Sequence, residues 1–125
     1  MRPYVELPGL SEIVLEESYV LDVRAAPGEL TLDVDFVLAR DHPAYAPPPP
    51  TEVECFRRGS LPFTGLERLV WDDQGKPPAV DASGEPDFGH IDSFEWEGGR
   101  YFLSGDFGRI DAEAKGVDVV FSVAA

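Results

Sequence analysis

From Tyr19 onward, apolar and polar residues alternate with a period of two, the spacing of a strand with one wet face. Tyr19, Leu21 and Val23 alternate with Val20, Asp22 and Arg24, and Ala26-Pro27-Gly28-Glu29 then reverses the chain. Leu30, Leu32, Val34, Phe36 and Leu38 follow on one face, with Thr31, Asp33 and Asp35 on the other. The pattern predicts a long β-hairpin, apolar inside and acidic outside.

Residues 52–58 and 61–71 read as two further strands, and Gly59, Pro62 and Gly65 mark bulges or an edge. Residues 72–88 are polar and rich in Gly, Pro and Asp, which predicts a loop. Asp87-Phe88-Gly89-His90-Ile91-Asp92-Ser93 is echoed by Asp106-Phe107-Gly108-Arg109-Ile110-Asp111-Ala112. Each copy leads into a strand, a glycine turn (Gly98-Gly99, then Gly116) and a returning strand, so two tandem hairpins are expected to form a four-stranded antiparallel meander. Helical spacing is confined to residues 11–17, where Ser11 is placed to cap and Ile13, Val14 and Leu15 supply an apolar patch, with extended chain leading into the first strand as the alternative. Pro47 to Pro50 are consecutive prolines, which enforce polyproline II and exclude a central strand. They read as a stiff connection across a sheet end, with a docking ligand for a proline-reading module as the alternative.

These elements add up to one domain over residues 1–125, mainly β, of about seven antiparallel strands in a sandwich or a half-open barrel, with at most one short N-terminal helix. At 125 residues and 43% hydrophobic composition the chain can bury a core without disulfide or metal. Its one cysteine, Cys55, excludes an intramolecular disulfide and fits a reducing cytoplasm. The first residues contain no apolar run of signal-peptide length, and no stretch is long enough for a transmembrane helix.

Charge changes the picture more. There are 24 acidic against 10 basic residues, a net charge of -14. Such a field repels nucleic acid and anionic membrane and attracts a basic protein. The outward acids Asp22, Asp33 and Asp35 of the first hairpin and Asp111, Glu113 and Asp118 of the last would form one continuous negative face if those strands share a sheet. They are the candidate binding residues, with a solvated face that only maintains solubility as the alternative.

Candidate chemistry is sparse. Asp-Phe-Gly occurs twice, but the glycine-rich loop, strand lysine and catalytic-loop Asp of a kinase have no counterpart, so each copy reads as a turn. On a strand, His90 and Asp92 would share a face, where the carboxylate could orient the imidazole as a general base. Asp41-His42 could add a metal arm, although no zinc-ligand spacing is present. Arg57-Arg58 is the one basic cluster and is expected to pair within the chain, and Cys55 is expected to pack as a small hydrophobe. No metal or cofactor is expected.

The segments Ser18-Tyr19-Val20-Leu21, His42-Pro43-Ala44-Tyr45, Gly89-His90-Ile91-Asp92-Ser93 and Leu103-Ser104-Gly105-Asp106-Phe107-Gly108 resemble a group of small bacterial β-rich proteins of uncharacterised function. In size, charge and β character the chain is also similar to the acidic immunity proteins encoded beside bacterial toxins. That resemblance implies a binding role and carries over no functional residue. The expected function is an acidic module recognising a basic partner, with a toxin inhibitor as one form. The alternatives are a hydrolase or metal-dependent enzyme using His90 and Asp92, and a small-ligand binder with Phe94, Trp96 and Tyr101 lining a pocket between sheets.

Overall fold

The structure is a computed structural model that describes residues 1–72, 79–80 and 86–122, with backbone alone at 79–80 and 86–87. Its strands are β1 (Arg2–Pro3), β2 (Tyr19–Ala26), β3 (Glu29–Val37), β4 (Phe56–Thr64), β5 (Arg68–Asp72), β6 (Ala79–Val80), β7 (Pro86–Asp87), β8 (Ile91–Glu97), β9 (Arg100–Gly105), β10 (Gly108–Glu113), β11 (Gly116–Val117) and β12 (Val120–Phe121). They form one five-stranded antiparallel sheet ordered β1-β8-β9-β10-β5, and a second ordered β11-β4-β3-β2 with β12 also on β4. β6 and β7 make a separate two-stranded ladder. The two large sheets are open and pack face to face, a sandwich rather than a barrel. Of the loop expected over residues 72–88, Asp72 ends β5, β6 and β7 form that short ladder and Phe88 bonds to Val20, while residues 73–78 and 81–85 lie outside the described residues.

Local sequence explains the hairpins. Pro27-Gly28 closes β2 to β3 with Gly28 at φ 78, the Pro-then-Gly order of a type II turn. Gly98 and Gly99, at φ 53 and 84, give the two positive dihedrals of a type I′ turn between β8 and β9. Along β3 the alternation holds: Leu30, Leu32, Val34 and Phe36 are buried, each contributing about 1.5–3 kcal/mol of burial. Opposite them lie Ile91, Phe94, Tyr101, Leu103 and Ile110 of the other sheet. Phe63 of β4 joins the layers, its ring centroid 5.4 Å from Tyr101 and 6.2 Å from Phe94.

Several expectations are corrected. β2 does not keep its phase: Leu21 is the extra residue of a bulge between Val20 and Asp22, so Val20 is buried, Val23 packs inward and Tyr19 is 37% exposed. β4 runs unbroken through Gly59 and Pro62, and the break falls at Gly65, where the chain crosses to β5 in the other sheet. Pro62 is tolerated because its carbonyl, which accepts from Asp118 N–H at 3.0 Å, points at the gap between β11 and β12; its missing N–H faces the same way. The C-terminal meander is β8-β9-β10 closed by β5, while the last strands cross to β4. No long-range pattern in the sequence encodes that choice of partner.

The N-terminal helix is also corrected. A 3₁₀ turn at Tyr4–Glu6 is followed by successive turns, with Leu10 N–H donating to Leu7 O, Ile13 to Leu10 O and Ser18 to Leu15 O. Extended lateral bonds replace a helix: Val14 N–H donates to Val37 O and Ala39 N–H to Glu12 O, both 2.9 Å. The segment thereby buries Leu7, Leu10, Ile13 and Leu15 at the side of the sandwich.

Candidate functional site

His90 sits where the two sheets meet. Val20 N–H donates to Gly89 O and Phe88 N–H to Val20 O, which seats the first repeat copy against β2. The His90 Nδ1 is 2.9 Å from the Ser18 carbonyl, which can only accept, so Nδ1 carries the proton. Its ring lies on Tyr19 with centroids 4.4 Å apart. Asp92 is the extra residue of a second bulge, between Ile91 and Ser93, and is exposed. The bulge breaks the two-residue period, so the expected shared face is lost and the described hydrogen bond of His90 goes to Ser18 rather than Asp92.

His42 is also engaged locally. Its Nδ1 accepts from Ala44 N–H at 2.9 Å, inside a turn closed by Tyr45 N–H to His42 O with Pro43 at the second position. Its ring packs edge-on against Phe121. Among the described residues, no group of three or more His, Cys, Asp and Glu is placed to hold a metal ion. Arg57 lies 5.1 Å over the Phe121 ring, and Arg58 stands opposite Asp35 in the β3–β4 ladder. Cys55 is half-buried against the core.

The aromatic trio is engaged in packing and a backbone hydrogen bond. Phe94 and Tyr101 pack on one another and on Phe63, Tyr4 joins Phe94 at 6.0 Å, and Trp96 donates to Pro3 O at 3.0 Å. Burial pushes the Tyr101 phenol above its usual pKa.

The candidate acids divide between two faces. Asp22, Asp33 and Asp35 lie on β2 and β3, whereas Asp111 and Glu113 lie on β10 of the other sheet. The outer faces of a sandwich point in opposite directions, so no single negative face unites them. Asp118 lies between β11 and β12, beside β4. On the β2–β3 face Asp22 stands directly opposite Asp33, and Arg24 holds Asp33 at 2.8 Å.

On the other face four strands align their outward residues in rows. Ser93, Ser104, Arg109 and Asp72 make the first row, and Phe102, Asp111 and Val70 the centre of the second. Arg100, Glu113 and Arg68 follow in the third, beside Glu97. The first two rows line an open groove of about 420 Å³, floored by Phe102 and Val70. Ser93 and Ser104 hydroxyls bond at 2.6 Å on one side. Arg100 grips Asp111 Oδ2 at 2.9 Å, while Asp111 Oδ1 is buried with no hydrogen-bond partner among the described residues. A carboxylate oxygen in that condition lacks the donor that would offset its desolvation.

Sequence reading picked out Asp111 and Glu113 but missed Val70, Asp72, Phe102, Ser104 and Arg109. The alternation of residues 100–104 and 109–113 was the available signal; only the register turns it into a groove. Comparison with family models, with curated proteins and with solved structures finds no match to this chain.

Proposed function

We propose that this protein is an acidic protein-binding module whose groove on the β8-β9-β10-β5 face receives a basic side chain of a partner protein. The observation that carries the reading is Asp111: one carboxylate oxygen is held by Arg100 and the other is buried with no donor among the described residues. Rotation of the carboxylate, whose side chain borders the groove, lets a lysine or arginine of the partner supply that donor, and Phe102 and Val70 offer apolar floor to its aliphatic stem. The net charge of -14 adds long-range attraction for a basic partner and opposes nucleic acid and anionic lipid. Among the described residues no helix is long and apolar enough to cross a membrane. A cytoplasmic setting belongs to the same proposal and suits the free Cys55 thiol. In the inhibitor form of the reading, the bound partner also loses its activity.

The test is capture from native lysate on the immobilised chain at graded salt. A basic protein retained at low salt and released as salt rises is expected, with at least tenfold weaker retention by Asp111→Asn. Absence of any salt-sensitive basic partner, or full retention by Asp111→Asn, sinks the proposal.

A further inference from the structure

β3 and β4 are neighbours in one antiparallel sheet, and such strands need only two to five connecting residues. Their connection instead runs from Leu38 to Cys55. Both ends are anchored: Leu38 N–H donates to Cys55 O at 2.9 Å, and Ala44, Tyr45 and Cys55 pack against the core. Between the anchors Ala46, Pro47, Pro49, Pro50, Thr51, Glu52 and Val53 are exposed, and Pro48 and Glu54 are half-buried.

This arm is rigid by its covalent structure. Each proline ring fixes its own φ and keeps the residue before it out of the helical region, so residues 46–49 are held in polyproline II. A turn then closes the tip, with Glu52 N–H donating to Pro49 O at 2.9 Å and Pro50 in the second position that proline favours. Val53 is 91% exposed, more than any other large apolar side chain among the described residues. A strut that only joined two adjacent strands would need neither this length nor an exposed apolar tip.

We infer that the arm is a preformed docking ligand for a proline-reading protein domain, one whose groove is lined by aromatic rings and whose rim is basic. Pro47 and Pro50 lie one polyproline turn apart, about 9 Å along the axis, and so present themselves on one side. Little order remains to be imposed on binding, because proline has no rotamer freedom to lose and the backbone is already set. Val53 occupies an apolar recess beside the rings, and Glu52 and Glu54 on either side of it select the basic rim. The inference is independent of the groove around Asp111, which lies on the other sheet.

The test titrates the intact isotope-labelled chain with three purified probes, an EVH1, a WW and an SH3 domain, and follows amide shifts. Saturable sub-millimolar binding by at least one probe is expected, with shifts centred on residues 45–54. The Pro47→Ala/Pro50→Ala variant should bind at least tenfold more weakly while its melting temperature stays within a few degrees, and Val53→Ser should weaken binding too. Asp111→Asn should leave this binding unchanged, which separates the arm from the groove. No saturable binding by any probe up to millimolar concentration, or equal binding by the proline variant, overturns the inference.

Discussion

At Ser18, just before the chain enters β2, a side chain takes over the ladder. Its hydroxyl donates to Val14 O at 2.7 Å and accepts from Val37 N–H at 2.8 Å, and its carbonyl receives His90. Fully buried, it stands where the β2–β3 backbone bonds end after Tyr19 opposite Asp35. Ser18→Ala orphans the Val37 N–H and should cost about 1–3 kcal/mol, read as a lower urea midpoint at unchanged slope. Tyr4 is a second such anchor. Its hydroxyl donates to Glu16 Oε2 at 2.8 Å, with Ile13 O beside it at 3.2 Å, and accepts from Leu15 N–H at 3.1 Å. Burial chiefly, helped by the Glu16 carboxylate and partly opposed by the Leu15 N–H, raises its pKa. Tyr101 is raised by burial alone. Both folded values exceed the unfolded value of about 10, so the folded state holds these protons more tightly. Their stabilisation is complete below about pH 10 and falls as pH climbs toward the folded values. Denaturation midpoints should therefore drop as pH rises from about 10 to about 12, less steeply in Tyr4→Phe. A midpoint flat across that range would contradict the assignment.

At the level of elements, glycine marks close approach as well as turning. A Cβ on Gly59 would meet the Val120 backbone oxygen and the Phe36 ring, so the β4–β12 pairing requires hydrogen at that position. Gly59→Ala should destabilise by about 1–3 kcal/mol and loosen β12, seen as faster amide exchange at residues 120–122. Unaltered exchange there would show that the pairing does not depend on the glycine. Gly105 is similar: a Cβ would lie 2.6 Å from His90 O and 2.7 Å from Phe107, at the point where the second repeat copy turns under the first. Of the two Asp-Phe-Gly copies expected as turns, only the second is one, at Asp106-Phe107 between β9 and β10; the first leaves β7 as extended chain bonded to Val20, and the two touch, since the Asp106 carboxylate occupies the space beside Gly89. Their hairpins are not equivalent. β8 returns on β9, whereas β10 is completed by β5 from earlier in the chain.

For the whole molecule, charge acts with opposite sign on stability and on binding. The ion pairs Arg24–Asp33, Arg2–Glu6 and Arg68–Glu113 are solvent-exposed, each worth about 0–1 kcal/mol, while the net charge of -14 repels itself throughout. Screening weakens the repulsion more than the pairs, so raising NaCl from about 10 mM to about 300 mM should raise the melting temperature by a few degrees. The same titration should release the basic partner. A falling melting temperature would show that the ion pairs dominate. The sequence by itself determined what depends on near neighbours: the inward set of β3, the glycine turns, the stiffness of Pro47 to Pro50, the antiparallel β class and the acid excess. Each follows from a two-residue period, a fixed dihedral or a count. Tertiary structure decided what depends on distant pairing. One extra residue at Leu21 and another at Asp92 shift which side chains face inward, and those bulges take His90 away from Asp92. The crossing at Gly65 and the departure of residues 116–121 to β4 place the acids on opposite faces. The Asp111 groove exists only because four strands from two parts of the chain meet in one register, information that no local window of sequence contains.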